Sequence, residues 1–292
     1  TKAIVDGVVG NSTNEALTIG IVRLDEHVQS CWPYFRSENQ EPLEPLTAEL
    51  GIPDNDEGGI RIVSNFKDGS NDAPQFFMNS QDSVSYAAWY PSSGAFSSNN
   101  EKTVVTFDIP STGDMDIMYA EPVAGMMGTG FDVMKFNHAL SLFRIHVYKN
   151  TSLKWGNVKS ITISDMPNVC TLTLPHSLEN NTCSVEYSGT ANTMQHECDV
   201  PVVQGIENKT LVKQWIAAPA PGTNGLKMLS FTVETAEGEV SKFSIRSKIG
   251  ENFFIIGLPN TIFDKSSPLS ETVVMIVPRL IRTMKTNSKL EN

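Results

Sequence analysis

The sequence predicts an all-β protein built as a pair of antiparallel β-sandwiches. Three observations lead there. Apolar residues recur with period two along much of the chain, as half-buried strands require. No ten-residue stretch carries amphipathic helical spacing, which removes the crossover helices a parallel sheet needs. At 292 residues, and about 150 residues to a domain, the chain suits two such units. The expected division is 1–129 and 130–292.

The elements follow in order. Leu17, Ile19 and Ile21 mark a short first strand, and Val84 and Tyr86 a strand that runs into Trp89 and Tyr90. Val105, Phe107 and Ile109 alternate with Thr106 and Asp108. Phe143, Ile145 and Val147 alternate with Arg144, His146 and Tyr148. Ile161 with Ile163, and Leu172 with Leu174, repeat the pattern at shorter length. Leu229, Phe231 and Val233 lead through Ala236-Glu237-Gly238-Glu239 to Phe243 and Ile245, which reads as a hairpin. Ser37–Leu50 has helical polarity, but Pro42 and Pro45 limit any helix to a turn or two. Glu38–Gly59, Ser92–Lys102 and Glu179–Gln195 read as long polar loops. Ala120–Gly130, with Pro122, Gly125, Gly128 and Gly130, reads as the inter-domain linker.

The last apolar run, Val273-Val274-Met275-Ile276-Val277, is apolar on both faces when extended, so it should be buried on both. Two roles fit: the closing central strand of the second domain, or a donor strand for a neighbouring subunit. Pro278 ends uninterrupted pairing in either case.

Composition excludes several function classes. Hydrophobic residues at 40% and charged ones at 19% allow a packed core. With 22 basic and 33 acidic side chains the net charge is −11, opposite to the footprint of a nucleic-acid binder and unsuited to an anionic membrane. Phe253–Ile256 and Val273–Val277 are far shorter than the ~20 residues a membrane span needs. Thr1 reads as the start of a trimmed, mature form.

No catalytic motif is present: neither a G-x-S-x-G elbow, nor H-E-x-x-H, nor a P-loop. Asp114 and Asp116 lie two residues apart on one strand face, whereas a glycosidase pair must flank its sugar. Asp54, Asp56 and Glu57 lack the oxygen ladder of a calcium loop and read as a solvated turn. Cys170, Cys183 and Cys198, with His176 and His196, have spacings too irregular for a zinc site. A hairpin disulfide such as Cys170–Cys183 suits an exported chain, and buried free thiols are the other reading. His138 lacks a partner that sequence can name. Trp89 and Tyr90, with Trp32 and Tyr34, are either core packing or an aromatic platform for sugar rings. No cofactor and no metal are expected.

Several strings together resemble the fimbrillin-like and fimbrillin-associated anchor proteins of Bacteroidales bacteria. They are Trp89-Tyr90-Pro91-Ser92-Ser93, Asp116-Ile117-Met118-Tyr119-Ala120 and Phe136-Asn137-His138-Ala139-Leu140-Ser141, with Thr1-Lys2-Ala3 and Ile19-Gly20-Ile21 before them. The resemblance is strongest over residues 80–165 and weaker after Asp165. It implies two transthyretin-like sandwiches in tandem, export as a lipoprotein precursor attached to the membrane only by an N-terminal lipid, and a place in a pilus at the outer surface. It implies no enzymatic activity. Its partners would be other pilus subunits of the same or related type, and surface ligands of host or bacterial cells. In that family the first strand is cut away after an arginine, and Lys2 or Arg23 marks the corresponding place. The alternative is a surface adhesin or glycan-binding module that never polymerises, with Trp89 and Tyr90 as its binding aromatics.

Overall fold

A computed structural model describes residues 17–24, 45–51, 61–62, 66–72, 83–98, 102–126, 130–131, 134–147, 156–175, 182–189, 192–203, 208–218, 226–236, 240–248, 254–256, 274–277 and 282–283. Among these residues the regular structure is β, with no α-helix, and every strand pairing is antiparallel.

Among the described residues four sheets form, and the first has ten strands. Its path runs β22 (Arg282–Thr283), β11 (Lys135–His138), β9 (Met118–Met126), β6 (Ser83–Tyr90), β1 (Leu17–Leu24), β2 (Leu46–Gly51), β4 (Lys67–Asp68) and β5 (Asn71–Asp72). Beside that path, β10 (Gly130–Phe131) pairs with β9 and β3 (Arg61–Ile62) with β2. The second sheet is β15 (Ser184–Ser188), β14 (Val169–Leu174), β8 (Thr103–Asp108) and β7 (Ala95–Ser98). The third is β17 (Thr210–Ala217), β12 (Ser141–Val147), β21 (Val274–Val277) and β20 (Phe254–Ile256). The fourth is β16 (Asn192–Pro201), β13 (Asn157–Met166), β18 (Leu226–Thr235) and β19 (Val240–Lys248).

The alternating residues face the cores they were expected to build. Val105, Phe107, Leu172 and Leu174 from the second sheet meet Val22, Ala87 and Trp89 from the first. Phe143, Ile145 and Val147 from the third sheet meet Ile161, Ile163, Phe231 and Val233 from the fourth. The first sheet is apolar on its far side too, where Ile19, Ile21, Leu46, Ala48, Tyr86 and Met118 are buried.

Four expectations need correction. Ala120–Gly130 is not an open linker, since most of it is β9, held between β6 and β11. Its proline is accommodated by a bulge: Tyr86 faces Val123 and Ala88 faces Ala120, so Glu121 and Pro122 together oppose Ala87. The loop expected at Glu38–Gly59 contains β2, whose Leu46, Ala48 and Leu50 are buried. The loops expected at Ser92–Lys102 and Glu179–Gln195 contain β7, β15 and the start of β16.

Strand pairing runs across the expected 129/130 division. β14 lies against β8, and β11 lies against β9. The two sandwiches are joined by the short links Ala139–Leu140, between β11 and β12, and Pro167–Asn168, between β13 and β14.

Candidate functional site

β1 reads LTIGIVRL, and its β-branched residues favour an extended backbone packed on both sides. It is an inner strand with staggered neighbours. Leu17 to Ile21 pair with β2, from Leu17 opposite Leu50 to Ile21 opposite Leu46. Gly20 to Leu24 pair with β6, from Gly20 opposite Trp89 to Leu24 opposite Ser85. Ile19 and Ile21 point into one core and Val22 into the other, each at most 1% exposed. Without β1, two rows of backbone donors and acceptors and two faces of core would be left open together. That combination is what a strand from another chain can satisfy.

Gly20 fixes the shape of this slot. A Cβ built on it would stand 2.2 to 2.5 Å from Cε2, Cζ2 and Nε1 of Trp89. The indole therefore lies directly over the glycine. The indole also stacks on Phe96, with ring centroids 5.7 Å apart and planes 10° from parallel. Trp89 is fully buried, and its Nε1–H has no hydrogen-bond partner among the described residues, so the contact is one of packing. The turn after β6 closes over the slot as the Ser92 N–H donates to the Thr18 carbonyl at 3.2 Å.

Trp89 consequently offers no face to a sugar ring. Tyr90 points to the opposite side of the sheet and is half-buried. Its hydroxyl is held above the usual tyrosine range by burial first and by the nearby Asp116 carboxylate second. Asp116 in turn meets His138: His138 Nδ1 lies 3.0 and 3.1 Å from the two carboxylate oxygens. Met118 faces both Tyr90 and His138 across its two neighbouring strands. Three strings that the sequence presents far apart thus converge at one end of the first sheet. A buried carboxylate bonded to an imidazole fixes β9 and β11 at the start of the Ala139–Leu140 link.

The remaining site expectations distribute as follows. Arg23 lies within β1 and is 1% exposed; Lys2 falls outside the described residues. Val274–Val277 form β21, an inner strand with β12 on one side and β20 on the other, which is the closing position rather than a free end; Val273 lies outside the described residues. Cys170 is opposite Tyr187 on β15, four residues beyond Cys183, which immediately precedes that strand. At ~3.3 Å per residue that offset is about 13 Å, beyond the ~7 Å Cα separation a disulfide can bridge. Both thiols are free. Cys198 is free as well and packs on the other sandwich core. Burial pushes the Cys170 thiol up to about 12. Cys183 is raised by burial and by Glu121 beside it. Peptide mapping without reductant is expected to return Cys170 and Cys183 unlinked to each other, and both should resist alkylation at pH 8 until the protein is denatured. A linked Cys170–Cys183 peptide would refute the β14–β15 register. Among the described residues no group of three or more His, Cys, Asp or Glu side chains could hold a metal.

No family model matches the sequence, and no curated protein matches it. Among solved structures, the chain is similar to a putative cell adhesion protein from Bacteroides ovatus. The two are 13% identical, with a TM-score of 0.51, over 95% of this chain and 91% of that one. At that identity the likeness establishes the shared fold.

Proposed function

We propose that this chain is a structural or adhesive protein of the bacterial cell surface, without catalytic activity, assembled with neighbouring subunits through the β1 slot. The observation that carries this reading is the position of β1. It is a strand near the start of the sequence, paired on both edges and buried on both faces, with Arg23 as its next-to-last residue. Its removal would create the groove that strand donation uses. The sequence strings given above and the fold shared with the putative cell adhesion protein from Bacteroides ovatus support the same reading. In its finer form the proposal is a fimbrillin-like pilus subunit, exported as a lipoprotein precursor, with tandem transthyretin-like sandwiches. Processing at Arg23 requires β1 to leave the sheet first, because the Arg23–Leu24 bond lies inside the paired strand. The Lys2–Ala3 bond lies outside the described residues, and processing there would leave β1 in the chain.

The test is to recover the chain from the surface fraction sheared off the producing cells, then read its N-terminus by mass spectrometry. The expected result is a start at Leu24, with the chain migrating in a detergent-resistant ladder with other subunits; a start at Ala3 would leave β1 in the chain and count against assembly through its slot. Recovery only from the cell interior, or only as a monomer that keeps β1, would overturn the proposal.

A further inference from the structure

We propose that the β1 slot is gated by glycine. It admits an extended strand only when glycine stands opposite Trp89 with branched aliphatic residues around it, and the strand that fills it in an assembly therefore comes from a different chain. This rests on the strand-exchange reading above and names the partner that reading requires.

The gate follows from geometry. Every L-residue other than glycine places a Cβ where the Trp89 ring stands, at 2.2 Å from its nearest atom. Real Cβ contacts do not approach so closely, so the ring or the strand must move. The ring has nowhere to go: it is fully buried, backed by Phe96, and shares its core with Val105 and Phe107. Overfilling such a site destabilises. The flanking positions are equally specified. Ile19 and Ile21 fill the far core beside Leu46 and Ala88, and Val22 fills the near core beside Ala87. The occupant must read aliphatic, glycine, aliphatic, aliphatic.

That rule excludes the C-terminal run as donor. Val273–Val277 contains no glycine, and no residue after Gly257 is one. In any register the run would put a side chain against Trp89. Of all glycines in the sequence, Gly20 alone has branched aliphatic residues at the preceding and the next two positions. A second copy could fill the slot only by exchanging its own β1, which adds nothing to a growing chain. The strand that extends an assembly is therefore carried by another protein.

The test uses the full-length chain with a protease site inserted among residues 25–44 and cut after folding. Exchange is then promoted by mild denaturant in the presence of labelled peptides. The peptide Leu17–Leu24 is expected to be retained on gel filtration. Its Gly20→Val form and a peptide spanning 271–278 should be retained at least about tenfold less. A Trp89→Ala chain should regain the valine peptide. Equal retention of glycine and valine peptides overturns the gate while leaving strand exchange standing. Retention of no peptide at all, the native one included, overturns strand exchange itself. Should the cut chain fall apart, the uncut one serves. Gly20→Val must lower Tm less in the Trp89→Ala background than in the wild type, and strict additivity overturns the gate.

Discussion

Alanine at position 89 is expected to lower the free energy of unfolding by about 3–5 kcal/mol, the usual cost of deleting a large buried aromatic. Denaturant titration followed by tyrosine fluorescence or circular dichroism measures it. The size follows from where the ring sits: fully buried, stacked on Phe96 and lying over Gly20. Its removal leaves a void in the middle of the first sandwich that the backbone of β1 and β6 cannot close. Nε1 has no hydrogen-bond partner among the described residues, so Trp89→Phe should cost distinctly less than Trp89→Ala. The measurement also separates two meanings of the residue. A surface ring that receives sugars would change stability by no more than about 0.5 kcal/mol when removed, and loss of several kcal/mol identifies it as core.

Much of the fold was legible because half-buried strands write their burial into the sequence. Val105, Phe107 and Ile109, and likewise Phe143, Ile145 and Val147, alternate with polar neighbours and are buried as that alternation requires. Strands with a different chemistry were hidden. β16 alternates Thr193, Gln195, Glu197 and Asp199 with Met194, His196, Cys198 and Val200; polar outer residues and a histidine in an inward position disguise its period. β2 follows two prolines closely and reads as a broken helix. β9 carries Pro122 and Gly125, and only the bulge opposite Ala87 explains how a central strand tolerates the proline. Pairing partners were beyond local reading altogether. Val105 facing Leu172 leaves no trace within either segment, so the way strands 8 and 14 bridge the expected domains could not be seen.

The slot itself was half legible. Leu17, Ile19 and Ile21 marked a strand, and a glycine inside a strand pattern already signals close approach by another group. What the pattern lacks is the identity of that group. Trp89 lies far along the sequence, and only the β1–β6 register places its ring over Gly20. The convergence of Asp116 with His138 was hidden for the same reason. Each residue was visible, but the sheet that aligns them is set by pairing between distant strands.

Alanine at position 113 is expected to cost about 2–5 kcal/mol, from two separable causes. Gly113 has φ +65, and an L-residue held in that left-handed conformation costs about 1–2 kcal/mol. Its Cβ would also stand 2.4 to 2.9 Å from Trp215 Cδ1, Cβ and Cγ, and overpacking a filled core adds about 1–3 kcal/mol. Gly69 provides the control: its φ is +59 and nothing lies within 4 Å of its would-be Cβ. Gly69→Ala should therefore show the backbone cost alone, and the difference between the two variants measures the packing. The seat of Gly113 makes that packing matter to the whole molecule. Its carbonyl accepts from the Ile216 N–H at 2.7 Å, and nearby the Ile109 N–H donates to Asn168 while its carbonyl accepts from the buried Asn192 amide at 2.8 Å. Trp215 lies in the core of the second sandwich, and the next residue, Ile216, lies in the core of the first. A side chain forced in at 113 pushes on a strand that serves both cores, so the wild type should unfold in one transition. Gly113→Ala should lower that transition as a whole, with both sandwiches losing structure at the same denaturant concentration. Two separate transitions in the wild type, or equal costs at 69 and 113, would show that the 109–113 segment rests on β17 without binding the sandwiches into one unit.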